Sequence, residues 1–356
     1  MLNVAINGKF LTDRMQGIVR YARELVCALD EVLDARDRVE IVVPPIAQDV
    51  PALRNIKVVR WGRRTGIAWE QIDFAQYLLK HPKLTALNLC NVAPLFSRPG
   101  VTAVHDVMYR ACPEFYTSPR NRLSRAWHCM QYAFVTRREK AILTVSEYSK
   151  EQIERYYPNA RGKVNVVPNA WQHVRSYVAA PDWRDRFAQL EPGQYLFCIA
   201  TLARNKNVRW VYEVAERNPH LSFAIAGMRY ESDDIGCPPN VHLLGFVSDD
   251  DACALIRNCR AFLFPSLYEG FGLPPLEALA LGVPVVCSDA TSLPEVMGPC
   301  AHYVDPNSYN VDLEALLAKP VAPAYEALNR YSWKMSGERL LGVLEVNGGD
   351  AREGLR

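Results

Sequence analysis

Short apolar runs alternate with amphipathic stretches along this chain of 356 residues, and the alternation predicts the fold class. The apolar runs predict strands at 1–8, 39–43, 85–90, 101–105, 141–145, 164–167, 195–200, 221–226, 241–246, 261–264 and 283–287. Apolar residues at helical spacing predict helices at 17–33, 121–140, 208–217, 249–258 and 325–346. Strands that are apolar throughout are typical of parallel sheets with helices on both faces. The pattern therefore predicts an α/β protein with doubly wound parallel sheets.

A break in this alternation divides the chain into two predicted domains. Between about 171 and 194 the strand-like runs stop, and Pro181, Pro192 and Gly193 gather there. We expect a first Rossmann-like domain at 1–175, a linker at 176–193, a second Rossmann-like domain at 194–320, helices at 321–346 and a frayed tail at 347–356. Because open α/β sheets bind ligands at the carboxyl ends of their strands, the two domains would face a cleft.

Composition and charge narrow the classes of function. The net charge is only +2, which gives no sign of a nucleic-acid partner. The chain has 10 cysteines but no Cys-x-x-Cys pair, which favours reduced core thiols over a disulfide framework or a zinc site. The N-terminal residues lack the pattern of a signal peptide, and no run approaches the roughly 18 apolar residues of a membrane helix. We therefore expect a cytoplasmic protein.

The segment 264–280 carries the most informative chemistry. A strand ends near Phe264, a glycine turn follows, and Pro274 opens a helix. Glu269 precedes the turn and Glu277 follows it within the helix, so both carboxylates can reach one ligand. Backbone N–H groups beside a helix N-terminus suit a phosphate, and the turn residues are Gly270, Phe271, Gly272 and Leu273. The alternative interpretation is that Glu277 complements the helix dipole and Glu269 is solvated.

This segment resembles the signature of the retaining nucleotide-sugar glycosyltransferases of family 4, or group 1, which have the GT-B fold. The resemblance implies that Glu269 hydrogen-bonds the donor sugar and that Glu277 binds the ribose of the nucleotide. It further implies an acceptor-side first domain, a nucleotide-sugar-binding second domain, and a last helix that crosses back to the first domain.

Other segments match the same family. Gly17 lies in a loop like the one that lets the donor diphosphate approach the first domain. His105 ends a strand and matches a histidine that lines the sugar site. Phe246 belongs to a segment that matches the base-stacking loop. For Gly17 and His105, an ordinary helix start and a hydrogen-bonded strand end are the alternatives.

The expected phosphate-binding cations follow the first strand of the second domain. Lys206 matches the phosphate-contacting lysine of the family. Many members carry an arginine where Thr201 or Asn205 stands here, so Arg204 is the candidate for the second cation. A solvated Arg-Lys turn is the alternative.

The resemblance implies a retaining enzyme that moves a hexose from a GDP-, dTDP- or UDP-linked donor to a hydroxyl group. Mannose or rhamnose is favoured, and the acceptor would be a glycan or a polyprenyl-diphosphate-linked saccharide in surface polysaccharide assembly. The catalytic residues would be His105, Glu269 and Lys206. No cofactor or metal is expected, because the run 249–251 of aspartates begins a helix and a cation can take the leaving-group charge.

Two other classes of function remain open. The chain could be a catalytically idle sugar-nucleotide-binding partner of another transferase, which the intact set of Glu269, Glu277 and Lys206 disfavours. It could also be an NAD-dependent oxidoreductase, because Gly270-Phe271-Gly272 begins like a dinucleotide fingerprint. Pro275 occupies the position of the third glycine, which disfavours that class.

A basic segment in the first domain concerns the acceptor. Residues 115–138 contain no acidic residue but five arginines: Arg120, Arg122, Arg125, Arg137 and Arg138. A shorter basic stretch lies at 57–64. These side chains would contact a lipid-linked diphosphate or the anionic inner face of a membrane, with an ordinary solvated face as the alternative. An apolar stripe on the same helix is expected to be core: Leu123, Trp127, Met130 and Phe134.

Overall fold

The computed structural model describes residues 1–200, 203–227 and 236–348. The chain divides into two compact units. The first comprises residues 1–169 together with the C-terminal helix from Trp333, and the second comprises Ala170–Ser332. Thr201 and the last eight residues of the expected tail lie outside the described residues.

The described part of the first unit contains a parallel sheet in the order β3-β2-β1-β4-β5-β6-β7. Its strands are β1 Asn3–Asn7, β2 Arg38–Val43, β3 Lys57–Arg60, β4 Thr85–Asn88, β5 Val101–Ala103, β6 Ala141–Thr144 and β7 Val164–Val166. The chain winds outward from β1 through β2 to β3 and then returns to β4 beside β1. This order creates a topological switch point between β1 and β4, where open α/β sheets bind ligands.

Helices cover this first sheet. They are α1 Gly17–Val32, α2 Gly66–Ala68, α3 Ala75–Lys80, α4 Met108–Ala111, α5 Pro119–Arg138 and α6 Glu147–Tyr156, with a π-helical turn at Trp69–Phe74 and 3₁₀ turns at Gly8–Thr12, Pro113–Phe115 and Pro158–Ala160. The last helix of the chain, Trp333–Gly348, packs against α1 in this unit. A Cβ atom on Gly337 would lie 2.7 Å from the carbonyl oxygen of Ala28, so the two helices approach closely at a residue without a side chain.

The described part of the second unit contains a parallel sheet in the order β10-β9-β8-β11-β12-β13. Its strands are β8 Tyr195–Ile199, β9 Ser222–Ala226, β10 Val241–Gly245, β11 Ala261–Phe264, β12 Val285–Ser288 and β13 His302–Val304. Its switch point lies between β8 and β11. The core on one face of the sheet is centred on the fully buried Trp210.

In the described part of the second unit, the helices are α7 Trp183–Arg186, α8 Val208–Arg217, α9 Asp249–Arg257, α10 Leu273–Ala280, α11 Leu293–Met297, α12 Leu313–Leu317 and α13 Tyr325–Leu328. The helix Trp333–Gly348 of the first unit is α14. Short 3₁₀ turns lie at Gln172–Ser176, Arg204–Lys206 and Gly298–Cys300. These elements confirm the predicted α/β class with two doubly wound parallel sheets.

The segment 176–193 packs within the second unit, where we expected a linker. Trp183, Phe187 and Leu190 are buried, and Arg186 forms an ion pair with Asp251 of α9. The apolar residues of this segment do not follow a regular period, so the sequence pattern did not show that they form part of a core. Similarly, the predicted helical stretch at 325–346 is split between α13 in the second unit and α14 in the first.

The prediction that an apolar stripe of α5 lies in the core is wrong for Leu123 and Met130, whereas Phe134 does pack against a core cluster of the first unit. Leu123 is 74% exposed and Met130 is 44% exposed. Helix α5 instead buries the side that carries Gln131, Tyr132 and Val135. A helix whose apolar residues lie on two sides gives no single stripe from which the buried side can be identified.

None of the helices described at residues 1–200, 203–227 and 236–348 combines the length and the apolar character that a bilayer-crossing segment requires. All ten cysteines lie within the described residues and carry free thiols.

Candidate active site

Two of the charged side chains predicted for the site, Lys206 and Glu269, meet at the switch point of the second unit's sheet. Lys206 closes the 3₁₀ turn after β8, and Glu269 follows β11. Because β8 and β11 are neighbours in the sheet, their carboxyl ends bring these side chains together. The Lys206 Nζ lies 2.6 Å from the Glu269 Oε1, and both side chains are mostly buried. The ammonium group also lies 4.9 Å from the centre of the Phe264 ring.

Two asparagines hold the loop that carries Lys206. Asn207 adopts a left-handed conformation with a φ of 54°, and its Nδ2 donates to the carbonyl oxygens of Pro265 at 3.0 Å and Pro306 at 2.8 Å. The Nδ2 of Asn205 donates to the carbonyl oxygen of Tyr268 at 3.1 Å. Asn205 is therefore a buried residue that hydrogen-bonds the loop after β8 to the loop after β11. An arginine at this position could not make the same buried contact. Arg204, which precedes Asn205 in the chain, is exposed.

The backbone of Glu269 is held from both sides by the loop after β12. Its N–H donates to the Thr291 Oγ1 at 3.2 Å, and its carbonyl accepts from the Ser292 Oγ at 3.1 Å. Thr291 has a φ of 58°, a conformation that is unfavourable for a β-branched residue and is maintained by its surroundings. A hydrogen bond to the backbone of a distant residue leaves no local signal in the sequence, so the sequence pattern does not show this role of the loop.

The glycine turn has the predicted strand–turn–helix arrangement. Gly272 has a φ of 88° and caps α10, and a Cβ atom there would clash with Leu293. The turn residues Gly270, Phe271, Gly272 and Leu273 are buried, and the Phe271 ring packs edge-on against Tyr331 with centroids 5.1 Å apart. The turn is therefore more enclosed than the sequence suggested.

Glu277 has a partner that the sequence did not predict. Its Oε1 lies 2.6 Å from the Nε2 of His173, whose side chain is 2% exposed. The two residues are 104 positions apart, and His173 lies in a segment without strand or helix periodicity. This contact fixes one oxygen of Glu277 and the orientation of the carboxylate.

The remaining donor-site candidate of the second unit is Phe246, which follows β10 and is 81% exposed. An aromatic ring that projects into solvent at a strand end can stack on a planar ligand. A cluster of three or more metal-ligating His, Cys, Asp or Glu side chains is not found in the part of the chain that the structure describes.

His105 lies at the carboxyl edge of the first unit's sheet and is buried. Its Nε2 lies 2.9 Å from the carbonyl oxygen of Leu89, so this nitrogen carries the proton and the Nδ1 is the acceptor. Burial lowers the pKa of His105 to about 4, although the bond to Leu89 opposes the shift. The ring is therefore neutral near pH 7. It also contacts the Tyr21 ring edge-on, with centroids 4.7 Å apart.

Gly17 is the first residue of α1, and Tyr21 lies one turn further along the same helix. A Cβ atom on Gly17 would meet no other atom within 4 Å. The glycine is therefore not required by the packing of the free protein, and the open space is compatible with a ligand that approaches the backbone.

The comparisons with known proteins agree with this arrangement. Residues 180–328 match the family model described as "Glycosyl transferases group 1". The chain is 29% identical over 351 residues to the O-antigen chain mannosyltransferase B of Escherichia coli. The alignment covers 90% of this chain and 89% of that protein. The chain is also 25% identical over 241 residues to the O-antigen chain mannosyltransferase RfbU of Salmonella typhimurium. That alignment covers 67% of this chain and 65% of that protein.

A solved structure is similar over nearly the whole chain. HepE of Anabaena, solved in complex with UDP and glucose, aligns with a TM-score of 0.63 and 16% identity, covering 97% of this chain and 100% of that one. At this identity the similarity concerns the fold alone, which is the predicted GT-B fold.

Proposed function

Because the chain belongs to the group 1 glycosyltransferases, we propose that it transfers mannose from a nucleoside diphosphate donor to a hydroxyl group of a saccharide, with retention of the anomeric configuration. The choice of mannose over rhamnose follows the O-antigen mannosyltransferases to which the chain is similar. The acceptor is a glycan or a polyprenyl-diphosphate-linked saccharide of a surface polysaccharide.

The contact between Lys206 and Glu269 is the observation that carries this proposal. In the free enzyme, the two side chains neutralise each other at 2.6 Å. A donor diphosphate offers Lys206 a stronger anionic partner, and Glu269 then becomes available for the hydroxyl groups of the sugar. A cation placed at the leaving diphosphate stabilises the charge that develops as the glycosidic bond breaks.

The other candidate residues complete the donor site. Glu277, held by His173, accepts hydrogen bonds from the ribose, and Phe246 stacks on the base. The turn at Gly270, Phe271, Gly272 and Leu273 begins α10, whose N-terminal dipole favours a phosphate. Arg204 supplies a second, solvent-exposed cation.

His105 and Gly17 are the candidate residues of the first unit. Since the pKa of His105 is about 4, its neutral ring accepts a hydrogen bond from a sugar hydroxyl through the Nδ1 and does not act as a cation. Gly17 leaves space for the diphosphate at the start of α1.

A binding titration separates this function from its alternatives. Calorimetry measures the affinity for GDP-mannose, UDP-glucose, dTDP-rhamnose and NAD, which identifies the class of ligand that binds. The release of free sugar in the same samples measures turnover. We expect one nucleotide sugar to bind and to be slowly hydrolysed. Binding without any hydrolysis or transfer would indicate an idle binding partner, and binding of NAD alone would contradict the proposal.

A further inference from the structure

The histidine that contacts Glu277 comes from a short turn that the donor site does not otherwise use. This 3₁₀ turn, Gln172–Ser176, lies just after Ala170, where the chain enters the second unit. The side chain of His173 is 2% exposed and that of Glu277 is 15% exposed. A polar side chain as deeply buried as this histidine requires a hydrogen-bonding partner, and the carboxylate supplies one. The contact is therefore a built feature of the second unit.

Hydrogen bonds hold this turn against the end of α13. The Trp171 Nε1 donates to a carbonyl oxygen of α13 at 3.0 Å, and the Gln172 Nε2 donates to the carbonyl oxygen of Tyr331 at 3.0 Å. Inside the turn, the Ser176 Oγ donates to the carbonyl oxygen of His173 at 2.7 Å. The backbone that carries the imidazole is thus anchored on both sides, so the position of the ring does not depend on the carboxylate alone.

The contact leaves one oxygen of the Glu277 carboxylate available. Its Oε1 lies 2.6 Å from the His173 Nε2. An ionised carboxylate only accepts hydrogen bonds, so the proton of this bond lies on the Nε2. Among the described residues, the Oε2 of Glu277 has no hydrogen-bonding partner. An oxygen with two unfilled lone pairs matches two neighbouring hydroxyl groups, which is the arrangement of the 2′- and 3′-hydroxyls of a ribose.

An acceptor that is fixed in place discriminates between ligands more sharply than a mobile one. A mobile carboxylate turns toward water when a ligand hydroxyl is missing, whereas the bond to His173 prevents Glu277 from turning. A deoxyribose would therefore leave a lone pair of a mostly buried, charged oxygen unfilled, and a site built to bind a hydroxyl group rejects a ligand that lacks it. The His173 ring thus converts a general acceptor into a group that distinguishes ribose from deoxyribose.

We propose that His173 is a positioning residue that makes the donor site specific for ribonucleotides. It acts through Glu277 and excludes 2′-deoxyribonucleotide donors, such as dTDP-linked sugars, in favour of GDP- or UDP-linked ones. This inference rests on the proposed function and narrows its donor class. The exposed ring of Phe246 does not supply this selection, because an aromatic face stacks on any base.

The test measures a ratio of affinities within each variant of the full-length enzyme. Calorimetry gives the Kd for GDP and UDP, for the 2′-deoxy and 3′-deoxy form of each, and for dTDP. His173→Phe keeps a ring without a donor, and His173→Gln keeps an amide that can donate to Glu277. The control is His302→Phe, because His302 is also a buried histidine of the second unit but lies on β13. Partial unfolding removes binding sites for all ligands equally, so it does not change the ratio.

We expect the wild type to bind its preferred ribonucleotide at least ~10-fold more tightly than either deoxy form. His173→Phe and Glu277→Gln should lose this preference, His173→Gln should keep most of it, and His302→Phe should keep all of it. Since the ribose does not react, His173→Phe should raise the KM for the nucleotide sugar and leave kcat nearly unchanged.

Two results would overturn the proposal. One is a wild type that binds dTDP or a deoxy form as tightly as the ribonucleotide, and the other is a folded His173→Phe enzyme that keeps the wild-type ratio. In both cases a nucleotide still binds, so the proposed transfer reaction is not affected. Binding of no nucleoside diphosphate at all would instead contradict the proposed function, and this inference with it.

Discussion

At the scale of single residues, Glu269 and Glu277 occupy different surroundings, and their expected roles differ accordingly. Glu269 is paired with a cation at the end of β11, whereas Glu277 is held by a buried histidine on α10. A carboxylate that exchanges a lysine for a sugar is available for chemistry. One that is fixed by His173 is suited to binding.

Glu269→Gln should abolish transfer and leave nucleotide affinity nearly unchanged, because the lost charge lies at the sugar. Glu277→Gln should weaken nucleotide binding by ~1–3 kcal/mol, the effect of losing a charge-assisted hydrogen bond. His173→Phe should weaken nucleotide binding in the same direction, and His173→Gln should restore part of it. Calorimetry and transfer assays distinguish the two glutamates. Wild-type rates and affinities in both glutamate variants would show that neither residue belongs to the site.

Lys206 and Arg204 provide a matched pair of cations in one turn. Lys206→Ala should reduce transfer by about 10²–10³-fold, the typical effect of removing a group that stabilises the transition-state charge. The substitution Arg204→Ala should have a smaller effect, because this arginine is exposed.

We also expect activity to survive exhaustive EDTA treatment, since Lys206 takes the leaving-group charge. An activity that EDTA abolishes and Mg²⁺ or Mn²⁺ restores would contradict this role.

At the scale of elements, the strands with continuous apolar runs were predictable, and the exceptions have physical causes. Strand β3 is an exposed edge strand of charged and apolar residues, so it lacks the apolar run of a buried strand. The π-helical turn at Trp69–Phe74 has no sequence signature. Contacts such as that between His173 and Glu277 join distant segments, so neither residue type nor spacing predicts them.

The motif glycines should respond differently to a methyl group. Gly272→Ala should destabilise the enzyme by more than ~1 kcal/mol, because its φ of 88° is unfavourable for alanine and its Cβ would clash with Leu293. Gly17→Ala should leave stability unchanged and reduce donor affinity, since only a ligand would meet the added methyl group. Urea unfolding measures the first effect and calorimetry the second. A destabilised Gly17→Ala enzyme with normal donor affinity would mean that Gly17 is structural.

At the scale of the whole molecule, the predicted contact with an anionic membrane depends on the exposed side of α5. Leu123, Met130 and Arg137 are seven residues apart and exposed, and Arg120 and Arg122 are exposed beside them. Arg125 and Arg138 instead donate to the backbone carbonyls of Tyr109 and Leu95, so only part of the predicted basic surface is available. In the stretch at 57–64, Arg60 and Arg64 also have protein partners.

Arg120/Arg122/Arg137→Glu should lose sedimentation with vesicles that contain anionic lipid. Each exposed arginine contributes about 1 kcal/mol near such a surface, and the attraction is screened over about 10 Å at 0.1 M salt. The wild type should therefore bind at low salt and dissociate at high salt. The control Arg36/Arg161/Arg209→Glu changes the net charge equally at exposed arginines elsewhere. Equal sedimentation of the two variants would leave the arginines of α5 as a solvated face.

The anomeric configuration of the product tests the central claim most directly. The enzyme is incubated with GDP-mannose labelled with ¹³C at C1 and with octyl α-mannoside as the acceptor, and the one-bond C1–H1 coupling of the product is measured by NMR. Because the donor is an α-mannoside, retention predicts an α-linked product from the wild type and none from Glu269→Gln. A β-linked product, or an equal yield from the Glu269→Gln enzyme, would contradict a retaining mannosyltransferase built around Glu269 and Lys206.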